Sequence, residues 1–176
     1  MANGQEEALD TELTATRFNH KEFQLQRKNH FEVQFNSGTG LDSDFKFMVV
    51  SFPLPKETTE SSDINYFNTT VKVAGKTTFD NTTMVIRDAI DYDSETKFLE
   101  WRKKVYDPKT GKMGVAEDYK YDAVVTEWTP NKTGTGRKWK LVGCWPSGID
   151  YGEMSYDDGG EKQISITICY DFAYRL

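Results

Sequence analysis

The sequence predicts a mainly β protein, an antiparallel β-sandwich or partly open barrel with one flanking α-helix. Apolar and polar residues alternate with period two in several separate runs, above all in EKQISITICYDFAYR at 161–175. Such alternation is the mark of strands that bury one face. Only SETKFLEWRKKVYD, at 94–107, repeats its apolar residues at helical spacing. Aromatic residues make up 14% of the chain and Thr and Val are abundant, a composition that favours pleated, half-buried surfaces.

Taken in order, residues 1–17 show no sustained period and are expected to form a flexible arm, leaving 18–176 as a single domain. A short helical turn is expected at FNHKEFQL. In HFEVQFN, Phe31, Val33 and Phe35 alternate with polar neighbours, which predicts a strand. The Gly-rich SGTGLDSD then turns the chain into FKFMVVSFPLP, where Phe45, Phe47 and Val49 share a face and Pro53 and Pro55 end the ladder. These two strands are expected to pair as a hairpin. Lys56 to Asp63 is polar and aperiodic, an exposed loop or the tip of a long extended hairpin. YFNTTVKVAG alternates Thr69, Val71 and Val73 with Thr70 and Lys72, and FDNTTMVIR follows as a further strand.

In the predicted helix Ser94 is the expected N-cap, Glu95 favours the positive end, and Arg102, Lys103 and Lys104 favour the negative end. Phe98, Trp101 and Val105 form the stripe that lies on a sheet. YKYDAVVTEW and RKWKLVGCW, joined by TPNKTGTG, are expected to pair, with Trp139, Leu141 and Trp145 facing alike. IDYGEMSYDDGG suggests a short strand and an Asp-Gly turn. In the last strand Ile164, Ile166, Ile168, Tyr170, Phe172 and Tyr174 are expected on one face.

The chain has 176 residues, 22 Lys or Arg against 28 Asp or Glu, and a formal net charge of -6. A domain of this size buries enough surface to fold without disulfides or metals. No stretch is long and apolar enough for a membrane helix, and residues 1–16 lack the basic and apolar regions of a leader, so cytoplasmic synthesis is expected. The acidic balance argues against a protein that grips nucleic acid, because such affinity comes from Lys and Arg displacing counterions. Cys144 and Cys169 have neither the number nor the spacing of a zinc site and read as free thiols, with a bridge as the alternative.

Catalytic chemistry finds little support. His20 and His30 are the two histidines, and neither lies near a nucleophile signature. AGKTT at 74–78 ends like a phosphate-binding loop, but Thr70 stands where the leading Gly is needed. Asp88, Asp91, Asp93 and Glu95 resemble a calcium loop, yet Ser94 occupies the Gly position. Asn68, Asn81 and Asn131 open glycosylation sequons that carry meaning only in a secreted chain. No catalytic residue, cofactor or metal is expected.

Strand edges are more informative. The segments around Thr69 to Val73 and Ser165 to Asp171 read as long ladders with polar faces and no guarding Pro. Pairing between copies around a ring would remove such edges and leave a hydrophilic face towards the hole. A solitary sandwich with a wet outer face is the alternative.

KVAGKTTFDNTTMVI, the helix with KFLEW, KLVGCWPSGIDYGEMSYDD and the ISITICYDFAY strand resemble, in that order, the tail tube proteins of contractile-tailed bacteriophages. The resemblance runs from about Phe18 to Leu176, with the acidic arm and the GKMGVAED loop as variable parts. It implies a β-sandwich with one helix, stacked hexameric rings and an inner barrel built from strands of every subunit. It also implies a virion tail location, no active site, and as partners further copies, the tail sheath, tape measure, baseplate and tail terminator proteins, with genomic DNA passing through. In such a tube the lumen or inter-subunit strands are expected at Thr69, Thr70, Lys72, Ser165, Thr167 and Asp171. Ring stacking is expected at Lys56, Glu57, Asp63, Lys138, Lys140, Asp157 and Asp158. There the acidic run Asp150, Glu153, Asp157 and Asp158 could meet the basic run Lys132, Arg137, Lys138 and Lys140, with ordinary solvated turns as the alternative. A contractile injection or type VI secretion tube, and a monomeric β-barrel binding a small apolar ligand, are the alternatives for function.

Overall fold

The computed structural model describes residues 26–129, 136–157 and 159–176. The expected arm, the helical turn at 18–25, His20, Lys132 and Asp158 lie outside them. In chain order the strands and helices are β1 (Phe31–Phe35), β2 (Val49–Ser51), β3 (Glu57–Tyr66), β4 (Thr69–Phe79), β5 (Thr82–Arg87), α1 (Ser94–Val105), β6 (Tyr106–Asp107), β7 (Lys112–Met113), α2 (Ala116–Tyr119), β8 (Tyr121–Glu127), β9 (Arg137–Asp150), β10 (Gln163–Cys169) and β11 (Phe172–Arg175). One antiparallel seven-stranded sheet runs β1-β8-β9-β10-β5-β2, with β11 also on β9, and curls into a half-barrel. The pairs β3–β4 and β6–β7 form separate two-stranded ribbons.

The core lies between the concave face of this sheet and α1. Phe98 and Trp101, at helical spacing, are fully buried and meet Phe35 and Phe45 of the first segment. The rings pack edge-on: Phe35 to Phe45 at 5.7 Å, Phe35 to Trp101 at 5.4 Å and Phe45 to Phe98 at 5.5 Å. Each such pair adds about 0.5–1.5 kcal/mol beyond simple burial. The Trp101 Nε1–H donates to the Tyr119 carbonyl at 2.8 Å, so the indole enters the core without an orphaned donor.

Asp93, not Ser94, caps α1. It sits in the left-handed region at φ 49° and its carboxylate accepts the Thr96 N–H at 3.3 Å. A carboxylate adds charge attraction for the positive helix end to the hydrogen bond that a hydroxyl would also supply. Ser94 is fully buried. The expected hairpin over 31–55 is absent: β1 pairs with β8 and β2 with β5. Residues 43–47 form a 3-10 turn capped by Asp42, so Phe45 is buried while Phe47 is exposed. Asp-Ser-Asp favours a side-chain-capped turn over a ladder, and the strand begins only at Val49.

The long strand β9 decides the curl. Its first half pairs with β8 and β11, and its second half pairs with β10. Between them the register with β8 slips by one residue, and Gly143 adopts φ 70°. A Cβ there would stand 2.4 Å from the Asp171 Oδ2. This bulge re-aims the side chains: Leu141 and Cys144 both face the core, while Trp145 turns out of phase with Trp139 and rests on Tyr119 at 5.8 Å. The shared face expected for Trp139, Leu141 and Trp145 is therefore broken. β9 also absorbs Ile149 and Asp150, and no separate strand follows among the described residues of 151–162.

The final segment breaks at the same place. Ile164, Ile166 and Ile168 are fully buried and Tyr170 nearly so, but Asp171 bends the chain and its N–H reaches the Val142 carbonyl at 2.9 Å. Beyond the bend Ala173 faces inward and Phe172 and Tyr174 face outward. The single six-residue face expected for 164–174 becomes two, because the chain must cross from one half of β9 to the other.

Replacing Gly143 by Ala should destabilise the domain by at least about 1–2 kcal/mol, the cost of a left-handed Cβ, with further loss from the Asp171 clash. Urea unfolding of the two proteins at one pH measures it.

Asp42 also ties the capped turn to α1. It accepts the Tyr92 hydroxyl at 2.8 Å and Lys97 Nζ at 3.0 Å, and the Lys97 ammonium sits 3.5 Å from the Tyr92 ring centroid. The Tyr92 hydrogen bond first, then that of Lys97, holds the Asp42 carboxyl below its ordinary value. A depressed carboxyl stabilises the fold above its unfolded pKa, and that contribution disappears as pH falls through the folded value. Asp42→Asn should therefore remove part of the stability lost between about pH 5 and about pH 3, read as a smaller drop in urea midpoint across that interval than in the parent chain.

Candidate subunit interface

The β3–β4 ribbon is the most unusual element of the molecule. Every residue of β3 is exposed, and so is every residue of β4 except Phe79. Cross-strand pairing runs from Glu57 opposite Phe79 to Tyr66 opposite Thr69. Phe67, at φ 49° and 89% exposed, turns the chain at the tip. The base is fastened to the domain by Lys56 and Asp80, whose side chains meet at 3.0 Å, and by the Phe79 ring 6.0 Å from that of Tyr170.

Register divides the outer part of the ribbon into two unlike faces. Ile64 opposite Val71, Tyr66 opposite Thr69 and Ser62 opposite Val73 make one face. On it Ile64 and Val71 are each 53% exposed and Tyr66 is 66% exposed. The other face carries Asp63 opposite Lys72, Asn65 opposite Thr70 and Ser61 opposite Ala74, with the Thr70 hydroxyl donating to Asn65 Oδ1 at 3.1 Å. Towards the base a bulge near Glu60 shifts the register, and Gly75 lets the strands close, since a Cβ there would meet the Glu60 carbonyl at 3.1 Å. An isolated two-stranded ribbon is marginal in water. This one has a complete ladder inside, one free edge on each strand, and an apolar face that its own domain does not cover.

The sequence-selected residues fall into three places. Thr69 belongs to the apolar face of the ribbon, Thr70 and Lys72 to the polar one; Glu57 and Asp63 lie on β3, and Lys56 at its base. The segment expected as loop or hairpin tip is thus the outgoing strand of the hairpin. Ser165 and Thr167 lie on the convex face of β10, but β10 is flanked by β9 and β5, so its ladder is complete within the chain and only its face is free. There the Thr167 and Thr83 hydroxyls lie 3.2 Å apart and the Ser147 hydroxyl donates to the Thr167 carbonyl at 3.2 Å. Thr83 and Ser147 were missed from the sequence, although the Thr83-Val85-Arg87 alternation marks the same outward face. Arg87 at its end is paired with Glu161 at 3.0 Å.

Asp171 sits at the bend between β10 and β11 and pairs with Lys120 at 2.7 Å. Lys140 is held by Asp122 at 2.9 Å, which lowers the Asp122 carboxyl below its ordinary value. Arg137 and Lys138 open β9, Asp150 closes it, and Glu153 and Asp157 are exposed in the connection to β10. Both cysteines are free thiols; burial pushes Cys144 up to about 12, which makes it an inert core residue. Among the described residues no group of His, Cys, Asp and Glu could hold a metal ion, and no helix is long and apolar enough to cross a membrane.

The tail tube protein gp19 of Enterobacteria phage T4 is 25% identical over 150 residues, covering 83% of this chain and 89% of the phage protein. The phage T6 protein of the same name matches to the same extent. Among solved structures, the anti-feeding prophage tube-terminating cap superposes with a TM-score of 0.68 at 12% identity, over 86% of this chain and 91% of that one. The sheath-tube complex of an extracellular contractile injection system gives 0.64 at 12% identity, over 93% and 97%. At such identity the likeness shows the half-barrel fold alone. The family model described as T4-like virus tail tube protein gp19 matches residues 22–172, and on that match the chain belongs to the tail tube family of contractile phage tails, whose members are structural proteins and not enzymes.

Proposed function

We propose that copies of this chain form hexameric rings that stack into the inner tube of a contractile tail, a conduit through which genomic DNA leaves the particle. The observation that supports this reading is the β3–β4 ribbon, whose apolar face finds no cover in its own domain. Fully burying a side chain of the size of Ile or Val contributes about 1.5–3 kcal/mol. Ile64, Tyr66, Val71 and Val73 together therefore offset much of the cost of association, about 4–15 kcal/mol. Docking of the ribbon on a neighbouring copy satisfies both its apolar face and its free edges.

The polar surfaces suit the bore. Duplex DNA carries one negative charge per ~1.7 Å, so a wall of cations would hold it fast. The Asn65, Thr70, Asp63 and Lys72 face of the ribbon and the Ser165, Thr167 and Thr83 face of the sheet offer hydroxyls, amides and balanced charge instead. We assign ring stacking to Lys56, Glu57 and Asp63 at and along the ribbon, to Lys138 at the start of β9 and to Asp157 beyond its end, while Lys140 is engaged by Asp122 within the chain. The sheath, tape measure, baseplate and terminator proteins are the expected partners, and synthesis is expected in the host cytoplasm. Solved structures of this fold include a sheath-tube complex and a sheath/tube terminator of an injection system, so a protein-delivering tube is the second reading. A ligand-binding barrel fits less well, because Met84, Ile86, Leu141, Ile164, Ile166 and Ile168 on the inward face are fully buried within one core cluster.

Removing 61–75 and closing the ribbon with a two-residue turn should leave the domain folded, with the circular-dichroism spectrum and melting of the parent. It should abolish tubes in negative-stain micrographs of concentrated protein. Tubes of normal width from the shortened chain would refute the proposal.

A further inference from the structure

The reading above leaves open where the ribbon docks. On the outward face of β11, Phe172, Tyr174 and Leu176 follow one another at alternate positions and are 47%, 42% and 62% exposed. The first two rings stack with centroids 6.3 Å apart. Val142 of β9 lies opposite Phe172 and extends the strip. Scattered exposed apolar residues are ordinary, but a continuous strip with a stacked aromatic pair marks a contact surface. β11 pairs with β9 on one side only, so its other edge offers unpaired N–H and C=O groups. On the same face of β9, Lys140 lies opposite Tyr174 with its ammonium held by Asp122, and the strip ends at Lys138, whose carbonyl accepts the Leu176 N–H at 2.9 Å.

The ribbon is complementary in each respect. Its apolar face presents Ile64, Tyr66, Val71 and Val73, its strands each keep one free edge, and Glu60, two positions before Ser62 on β3, continues that face with a negative charge. The chain's own ribbon leaves the domain next to this strip, held at Phe79 and Tyr170, yet its outer face and the strip both stay exposed. One chain cannot bring them together, whereas two copies can. The contact is then heterologous, ribbon to strip, which is the kind that propagates around a ring or along a filament.

We infer that the β11 strip Phe172, Tyr174 and Leu176, bounded by Lys138, is the seat for the β3–β4 ribbon of a neighbouring copy. Apolar contact supplies the affinity, and Lys138 facing Glu60 of β3 sets the direction in which the ribbon lies. The inference rests on the assembly reading and adds the surface that receives the ribbon.

Three sets of variants test it in the full-length chain. Phe172→Asp with Tyr174→Asp replaces exposed side chains, so the fold should survive, while the protein concentration needed to form pelletable polymer should rise by about tenfold or more. Lys138→Glu should weaken assembly, and Lys138→Glu combined with Glu60→Lys should restore part of it, which a folding defect would not do. In a Cys169→Ser background, Val71→Cys with Phe172→Cys should give disulfide-linked ladders on oxidation, and neither single variant should. Polymer that forms normally from the aspartate variant, or a double-cysteine polymer without ladders, overturns the seat and leaves the assembly reading standing. A parent chain that stays monomeric at every concentration overturns both.

Discussion

The structure depends on an imbalance: one chain carries more strand edge and more apolar ribbon surface than it can satisfy. Backbone N–H and C=O groups and apolar side chains both demand partners, and at β3–β4 and β11 both kinds of demand are left open side by side. The ribbon's ladder is complete within itself, so it can hold its form briefly as a monomer. Its outward surfaces are those of a fragment cut from a larger sheet. An isolated two-stranded ribbon is marginal in water, and this one carries Ile, Val, Tyr and Phe exposed in the single chain.

A second constraint sets what the ribbon is attached to. β9 serves two sheet halves at once, and a single residue, Gly143, allows the change of direction. The same bend positions Asp171 against Lys120 and turns Phe172 and Tyr174 outward. A core defect and a surface property are thereby linked. The bulge that keeps Cys144 and Leu141 inside also places an aromatic strip on the surface.

Charge is arranged to stay local. Lys162 joins Asp88 and Glu95 at the start of α1, Arg87 joins Glu161, Lys140 joins Asp122 and Lys120 joins Asp171. Exposed pairs of this sort contribute little stability individually. Their effect is to hold Arg87, Lys120, Lys140 and Lys162 against carboxylates of the same chain instead of leaving them open to a polyanion.

The sequence by itself determined the local elements. Period-two alternation located β1, β4, β5, β8, β9 and β10, and helical spacing located α1 with Phe98, Trp101 and Val105 inward, because side-chain direction follows directly from strand and helix geometry. It also pointed to Thr70 and Lys72 on one face of a long polar strand. Tertiary structure decided the rest. Which strand is an edge depends on pairing across distant segments, so β10 became central while β11 stayed open. Where alternation slips depends on a bulge demanded by curvature, so Trp145, Phe172 and Tyr174 left the faces their spacing implied. Polar Lys56 to Asp63 reads as a loop because both faces of β3 are exposed, so no buried side imprints an apolar alternation on it, and its strand form follows from pairing with β4.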